Sequence, residues 1–169
     1  MALGDKIVHI LKSYVIKSAT VGFAVLWIVL AIWLLHRHVT GTYYNAKKAM
    51  SDGNIAEATK LFGETVRQDI KGLSFKALLT LMKMNELLAL EELVDLIDLP
   101  DLNWIVVEDR ERFFNVIRRR TAGTTADLLP LNPNASQEIR TEEKHQWQTW
   151  LVKAKEQYNW QNGRFVPKK

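Results

Sequence analysis

Hydrophobic positions divide the chain into an unbroken apolar run near the N-terminus and a longer part with apolar residues at helical spacing. Residues 18–35 contain no charged side chain and are apolar without interruption from Gly22. A helix needs about 20 such residues to cross a bilayer core of about 30 Å. Helices of soluble cores normally keep a polar stripe, and this run has none. The pattern, extended by its neighbours, therefore predicts a transmembrane anchor over residues 18–38.

A cleaved signal peptide is the alternative interpretation of this run. The apolar region of a signal peptide covers about 7–15 residues and ends at a site of small residues. Here the run is longer and is followed by His36, Arg37 and His38, which favours an uncleaved anchor in a single-pass protein of the cell's inner membrane.

The membrane orientation stays open, because the residues that determine topology are balanced. Lys and Arg near a span set its orientation, and three lie on each side of this one. The short basic tail favours a cytoplasmic N-terminus, with the main domain on the non-cytoplasmic side. Within that tail, residues 1–17 are predicted to form an amphipathic helix that lies in the interface or continues into the span.

Beyond residue 38 the dominant period is 3.6, which predicts an all-α fold. Residues 39–137 are interpreted as a small α-solenoid-like stack of helical hairpins, and residues 138–169 as a capping helix and tail, with a frayed end over residues 167–169. The predicted helix over residues 73–84 is apolar nearly all round, so it is expected in the middle of the domain. The predicted helices cover residues 43–50, 55–67, 73–84, 90–97, 106–121 and 141–158, with Asn54 and Thr141 as N-caps and Gly123 just past the fifth helix.

The first hairpin resembles half of a tetratricopeptide unit. Gly53, the Glu57-Ala58 pair, Phe62 and Thr65 stand where that family has its turn glycine, its Glu-Ala pair, an aromatic and a small residue. The first helix departs from the pattern, since polar residues occupy positions that are usually large and apolar. One unit cannot bury its own face, so the resemblance implies that the hairpin packs on the helices that follow.

Residues 73–123 resemble bacterial HEAT-repeat proteins. The features are the helix Leu-Glu-Glu-Leu-Val-Asp-Leu-Ile-Asp over residues 90–98, the acidic turn with Asp98 and Asp101, and a helix that ends in Arg-Arg-Thr-Ala-Gly. The tail, with Asn-Pro-Asn-Ala-Ser over residues 132–136 and then Trp147-x-x-Trp150, resembles the extension that often closes small HEAT-repeat proteins, notably in planctomycetes. Both resemblances imply a helical-repeat scaffold that binds other proteins.

Composition narrows the possible partners and chemistry. The net charge of +4 arises mostly near the anchor, because four of the 23 Lys/Arg but only one of the 19 Asp/Glu precede residue 39. Nucleic-acid binding requires a basic stripe on the folded domain, so we expect no nucleic-acid partner. The absence of cysteine excludes disulfides, thiol catalysis and cysteine-ligated metals.

Candidate catalytic and metal-binding groups are sparse. His36 and His38 point to different faces of a helix, and His9 and His145 lack a ligand at suitable spacing, so no metal or cofactor is expected. The acidic run from Glu91 to Asp101 could supply a catalytic carboxylate pair, but a solvated helix face is the favoured interpretation. Phosphate-binding loops and nucleophile elbows are absent from the sequence, and no catalytic residue is assigned.

Two clusters are candidate interaction residues. The run Arg118-Arg119-Arg120 lies at a predicted helix C-terminus, where cations complement the helix dipole; the alternative is contact with anionic headgroups or an acidic partner. Trp147 and Trp150 either pack beneath the capping helix or form an interface hot spot.

These features predict a non-enzymatic adaptor that binds a protein partner and is held at the lipid bilayer by its anchor. The alternative is a small accessory subunit of a larger membrane complex, bound through its transmembrane helix. A hydrolytic enzyme is the third and least favoured class.

Overall fold

The computed structural model describes most of the chain beyond residue 39 and part of the apolar run before it. The predicted amphipathic helix over 1–17 and both ends of the predicted anchor lie outside the described residues. The described residues are 21, 23, 25–34, 40–68, 70, 72–100 and 107–168.

The chain forms two compact units, Met1–Val39 and Thr40–Lys169. In the first unit, the described residues are helical and their side chains are exposed. Among the described residues, no helix combines the length and the apolar character that a membrane crossing requires.

The second unit is mostly helical, which confirms the predicted all-α class in outline. Residues 138–169, predicted as a separate cap and tail, belong to the same compact unit as the helices before them. The elements are α1 (residues 40–51), α2 (Ile55–Arg67), α3 (Leu73–Lys83), α4 (Leu87–Asp95), α5 (Val107–Thr121), the 3₁₀ helix η1 (Thr125–Leu128), α6 (Gln137–Gln157), β1 (Tyr158–Gln161) and β2 (Arg164–Pro167).

Local signals place the first hairpin where the sequence predicts it. Gly53 adopts a φ of +78°, which favours glycine, and lets the chain turn between α1 and α2. The Asn54 side chain accepts a hydrogen bond from the Glu57 backbone N–H at 3.3 Å, as an N-cap does. The predicted turn and cap are confirmed.

Helix α4, rather than α3, occupies the centre of the unit. It packs against α2, α3, α5 and α6. Its apolar residues Leu90, Leu93 and Val94 are fully buried, and its charged side chains also contact neighbouring helices. The prediction that helix 73–84 is central was therefore wrong, because apolar content alone does not show how many neighbours surround a short helix.

The last helix begins four residues earlier than predicted. Ser136, and not Thr141, is its N-cap, since the Ser136 hydroxyl accepts a hydrogen bond from the Ile139 N–H. Thr141 lies inside the helix and donates to the Gln137 carbonyl at 3.0 Å. Both residue types can cap a helix, and the loop before Gln137 decides between them.

The chain after α6 forms a β-hairpin, for which the sequence pattern predicted no element, and Pro167, predicted to begin the frayed end, is the last residue of its second strand. Strands β1 and β2 pair in antiparallel register around Asn162 and Gly163, which adopt φ values of 52° and 76°. Two consecutive left-handed residues form the turn that matches the twist of paired strands. Phe165 of β2 is buried against Trp150 and Trp160, so the hairpin belongs to the hydrophobic core.

A candidate docking groove beside the last helix

One face of α6 is inserted in the core. Trp147 is fully buried and donates its indole N–H to the Pro130 carbonyl at 2.8 Å. Trp150 is 7% exposed and donates to the Thr125 hydroxyl at 2.9 Å. The geometry therefore favours packing for both candidate tryptophans, with little of either side chain left accessible to a partner.

The aromatic rings around Trp150 come from α6 and from the hairpin. The sequence predicts that its indole packs on the helix with Phe113, Phe114 and Ile117, which is α5. Those three residues belong to the same hydrophobic core as Trp150. The rings that contact its indole are Trp147 at 5.8 Å and Phe165 of the hairpin at 5.3 Å. Helix α6 packs mainly on α4, while α5 packs on β2.

A second face of α6 carries polar groups that meet the acidic run of α4. This run is not the solvated face that the sequence favoured, because its carboxylates find partners on the neighbouring helix. Two pairs join α6 to α4, Lys155 with Glu91 at 2.6 Å and Gln148 with Asp95 at 2.6 Å. A third joins Lys144 to Asp98, in the turn after α4, at 3.0 Å. Asp101 lies outside the described residues.

Glu92 points the other way, towards α2. It forms an ion pair with Arg67, and a Cβ at position 63 would overlap with its carboxyl group, so Gly63 makes room for it. Burial raises the pKa of Glu92 above its ordinary value, although the nearby Arg67 cation acts in the opposite direction; Asp95 and Glu64 add to the increase. This carboxyl therefore joins α4 to α2 through its ion pair with Arg67.

The three candidate arginines of α5 lie in different surroundings. Arg120 is buried and donates to the carbonyls of Met82 and Met84 at the end of α3. Burial lowers its pKa. Arg118 donates to the Leu131 carbonyl at 3.4 Å, and Arg119 is exposed. The structure therefore disperses the cluster, and two of its members satisfy backbone carbonyls.

Buried charged side chains anchor the loop that connects η1 to α6. Arg140, 1% exposed, donates to the carbonyls of Ala135 and Leu99. The buried Glu143 carboxylate accepts the Asn132 N–H at 3.2 Å. Hydrogen bonds between backbone groups and charged side chains are strong. They fix the loop on α6, and the loop in turn holds η1 beside that helix.

A groove of about 550 Å³ opens between η1 and α6. On α6, the lining residues follow a spacing that brings them onto one helical face. From Glu142 to Lys153 the groove runs along three helical turns, about 16 Å. Its lining consists of Thr125, Leu128 and Leu129 on one side and Glu142, His145, Gln146, Thr149, Trp150 and Lys153 on the other.

The groove combines apolar surface with two unpaired charges. Leu128 is 88% exposed, more than any other large apolar side chain among the described residues. Glu142 accepts a hydrogen bond from Gln146 at 3.3 Å, and neither Glu142 nor Lys153 forms an ion pair within the described part of the chain. This arrangement is suited to non-covalent recognition of a surface that is partly apolar and partly charged.

Of the five candidate interaction residues, Trp150 alone lines the groove. Sequence reasoning missed Leu128 and Leu129, although an apolar pair in the connector before Pro130 was a visible signal. Within the described ranges, no three His, Asp or Glu side chains lie close enough to hold a metal ion. His9, His36 and His38 lie outside those ranges.

Comparison of the chain with protein-family models, curated proteins and solved structures found no match. The resemblance to tetratricopeptide and HEAT repeats stays a prediction that rests on the residues quoted for it.

Proposed function

We propose that the protein is a membrane-anchored adaptor whose helical unit binds a protein through the groove between η1 and α6. The observation that carries this proposal is the exposed Leu128 beside Trp150 in a groove of about 550 Å³. This volume falls within the range of specific binding sites. Apolar surface that is presented in a concave site and bordered by charges is typical of recognition surfaces.

The apolar segment of the first unit supports the anchor. The described residues between 21 and 34 are all apolar and exposed, including Phe23 at 66% and Trp27 at 63%. So much apolar helix surface is unfavourable in water and calls for lipid or another apolar surface. Together with the charge-free run over 18–35, this supports a single-pass membrane protein.

The helical-repeat character is part of the same proposal. Helix α2 of the first hairpin packs on α3 and α4, as an incomplete repeat unit must. The arrangement supports a stack of helical hairpins that the C-terminal elements close, and such stacks serve as binding scaffolds.

Photo-crosslinking of the full chain in its native membrane tests the adaptor. A photoreactive residue replaces Thr149 in the groove, and a matched control replaces the exposed Glu111 on α5. We expect position 149 to give a crosslinked protein adduct. The substitution Leu128→Glu should abolish this adduct. Exchange of residues 18–35 for an unrelated apolar helix should leave it intact.

Two outcomes contradict this function. An adduct that survives Leu128→Glu but disappears with the exchanged helix points to an accessory subunit bound through its anchor. Equal labelling from positions 149 and 111, or no protein adduct at all, overturns the adaptor proposal.

A further inference from the structure

We infer that the occupant of the groove is a second copy of this chain, with α6 helices paired antiparallel about a two-fold axis. This inference rests on the proposed function, because it names the partner of the same groove. Its basis is that the exposed side of α6 is complementary to itself in charge and in the position of its polar residues.

The charges carry the first step. Glu142 and Lys153 lie eleven residues apart, near the two ends of the groove-facing stripe of α6. In an antiparallel pair centred between residues 147 and 148, Glu142 of each copy faces Lys153 of the other. An isologous interface requires such self-complementarity, because the same patch is used by both copies. Each contact between two different residues therefore occurs twice. A parallel pair would instead bring like charges together.

The middle of the stripe obeys the same symmetry. Gln146 and Thr149 lie between the two charges, and the same two-fold axis brings Gln146 of one copy opposite Thr149 of the other. The stripe of Glu142, Gln146, Thr149 and Lys153 has the four-three-four spacing with which one helix faces another. An amide and a hydroxyl can exchange a hydrogen bond at each of the two symmetric positions.

Exposed apolar side chains border this stripe. Ile139 is 55% exposed one turn before Glu142, and Val152 is 65% exposed next to Lys153. Leu128 lies across the groove on η1. A second copy placed along α6 would cover apolar surface that otherwise faces water, and apolar burial is the main favourable term in association.

The other charged side of α6 supplies the contrast. Lys155 already pairs with α4, and Lys144 with the turn after it, within one chain, so these two cations have little to offer a partner. Glu142 and Lys153 form no ion pair among the described residues. Their free charges can therefore select both the partner and its direction.

Charge exchange in the full chain tests the inference. The dimer dissociation constant is measured by analytical ultracentrifugation of the protein in detergent micelles. Glu142→Lys or Lys153→Glu alone brings two pairs of like charges together, and we expect each to weaken dimerisation by about tenfold or more. The double variant restores both opposite-charge pairs, as does a mixture of the two single variants, and both should dimerise within about threefold of wild type.

The controls separate α6 pairing from other causes. Glu111→Lys, on α5, changes the net charge by the same amount as Glu142→Lys. It should leave the dimer dissociation constant unchanged. Leu128→Ser should weaken the dimer without lowering the melting temperature of the monomer, since this side chain is exposed in one copy.

Other occupants give distinct results. The inference is overturned if the wild type is monomeric at about 100 μM. It is also overturned if the dimer is insensitive to the single exchanges, which is the result expected from pairing through the apolar segment. A Leu128-dependent adduct from position 149 with a different protein also overturns it but leaves the adaptor proposal intact. An adduct with the chain itself supports both.

Discussion

The two polar sides of α6 use similar residues for different purposes. On the α4 side, Lys155 is joined to Glu91 of α4 and Lys144 to Asp98 in the turn that follows it. On the groove side, Glu142 and Lys153 form no ion pair within the described residues. The same helix therefore holds the unit together with one set of charges and keeps another set available. Residue type alone does not distinguish the two roles, whereas position around the helix axis does.

The largest effect is expected at Trp150, between the core and the groove. Trp150→Ala removes a buried indole, its ring contacts and its hydrogen bond to Thr125, and should destabilise the fold by about 3–5 kcal/mol. Chemical unfolding of the full chain in micelles measures the loss. Arg119→Ala, on the exposed part of α5, is the control and should cost well under about 1 kcal/mol.

A Trp150→Ala protein as stable as wild type would show that α6 does not cap the stack. Trp147 and Trp150 would then lead the interaction residues, and the distinction between the core and the groove side of α6 would fail.

A smaller effect is expected in the hairpin behind Trp150. Gly163 has a φ of +76°, and a Cβ there would lie 3.0 Å from the Asn85 side-chain oxygen. Gly163→Ala should therefore destabilise the protein by about 1–2 kcal/mol. Gly41→Ala is the matched control, because Gly41 is helical with no atom within 4 Å of an added Cβ; it should be neutral or stabilising. Equal melting temperatures for the two variants would contradict the turn geometry.

One substitution on each polar side of α6 tests whether the two sides differ in role. Lys144→Met breaks a pair whose side chains are 21% and 27% exposed, and should cost about 0.5–1 kcal/mol. Lys153→Met should change stability by less than about 0.5 kcal/mol but weaken self-association. A double-mutant cycle of Lys144→Met with Asp98→Asn isolates the pair. If both lysine variants lost the same stability, the two sides would not differ in role.

The smallest effect is a pH dependence from Glu92. Its folded pKa is raised from 4.5, so the folded state holds this proton more tightly than the unfolded state. The associated stability is fully present below pH 4.5 and is lost as pH rises through the folded pKa. Glu92→Gln should remove this decline, and Arg67→Met should extend it to higher pH. Urea unfolding between pH 4 and 7 measures both; parallel curves for wild type and Glu92→Gln would contradict the assignment.

Local patterns predicted most helices of the second unit. The period of apolar residues indicated α2, α3 and α5 within about one residue of their described bounds, and Asn54 and Gly53 marked the turn before α2. The burial of Leu90, Leu93 and Val94 also followed from spacing. These features depend on neighbours in sequence, where side-chain direction and capping geometry decide the structure.

The hairpin was visible in the sequence but was not recognised. Asn162-Gly163 between Tyr158–Gln161 and Arg164–Pro167 is a strong local signal for a two-residue turn. The helical period ended at Tyr158, so no element was predicted for residues 159–166 and only residues 167–169 were predicted to fray. Burial of the Phe165 side chain shows that this part of the tail packs on the core.

By itself, the sequence determined the charge-free run at 18–35, the mostly helical class and the apolar faces of the helices, because these follow from composition and short-range spacing. The tertiary structure alone decided that the acidic run of α4 meets α6 and α2, that Arg120 caps α3, and that a groove opens beside Trp150. Each of these joins residues far apart in the chain, and their distance depends on how whole helices pack. Ion pairs and grooves are properties of that packing, so the sequence supplies their residues without their partners.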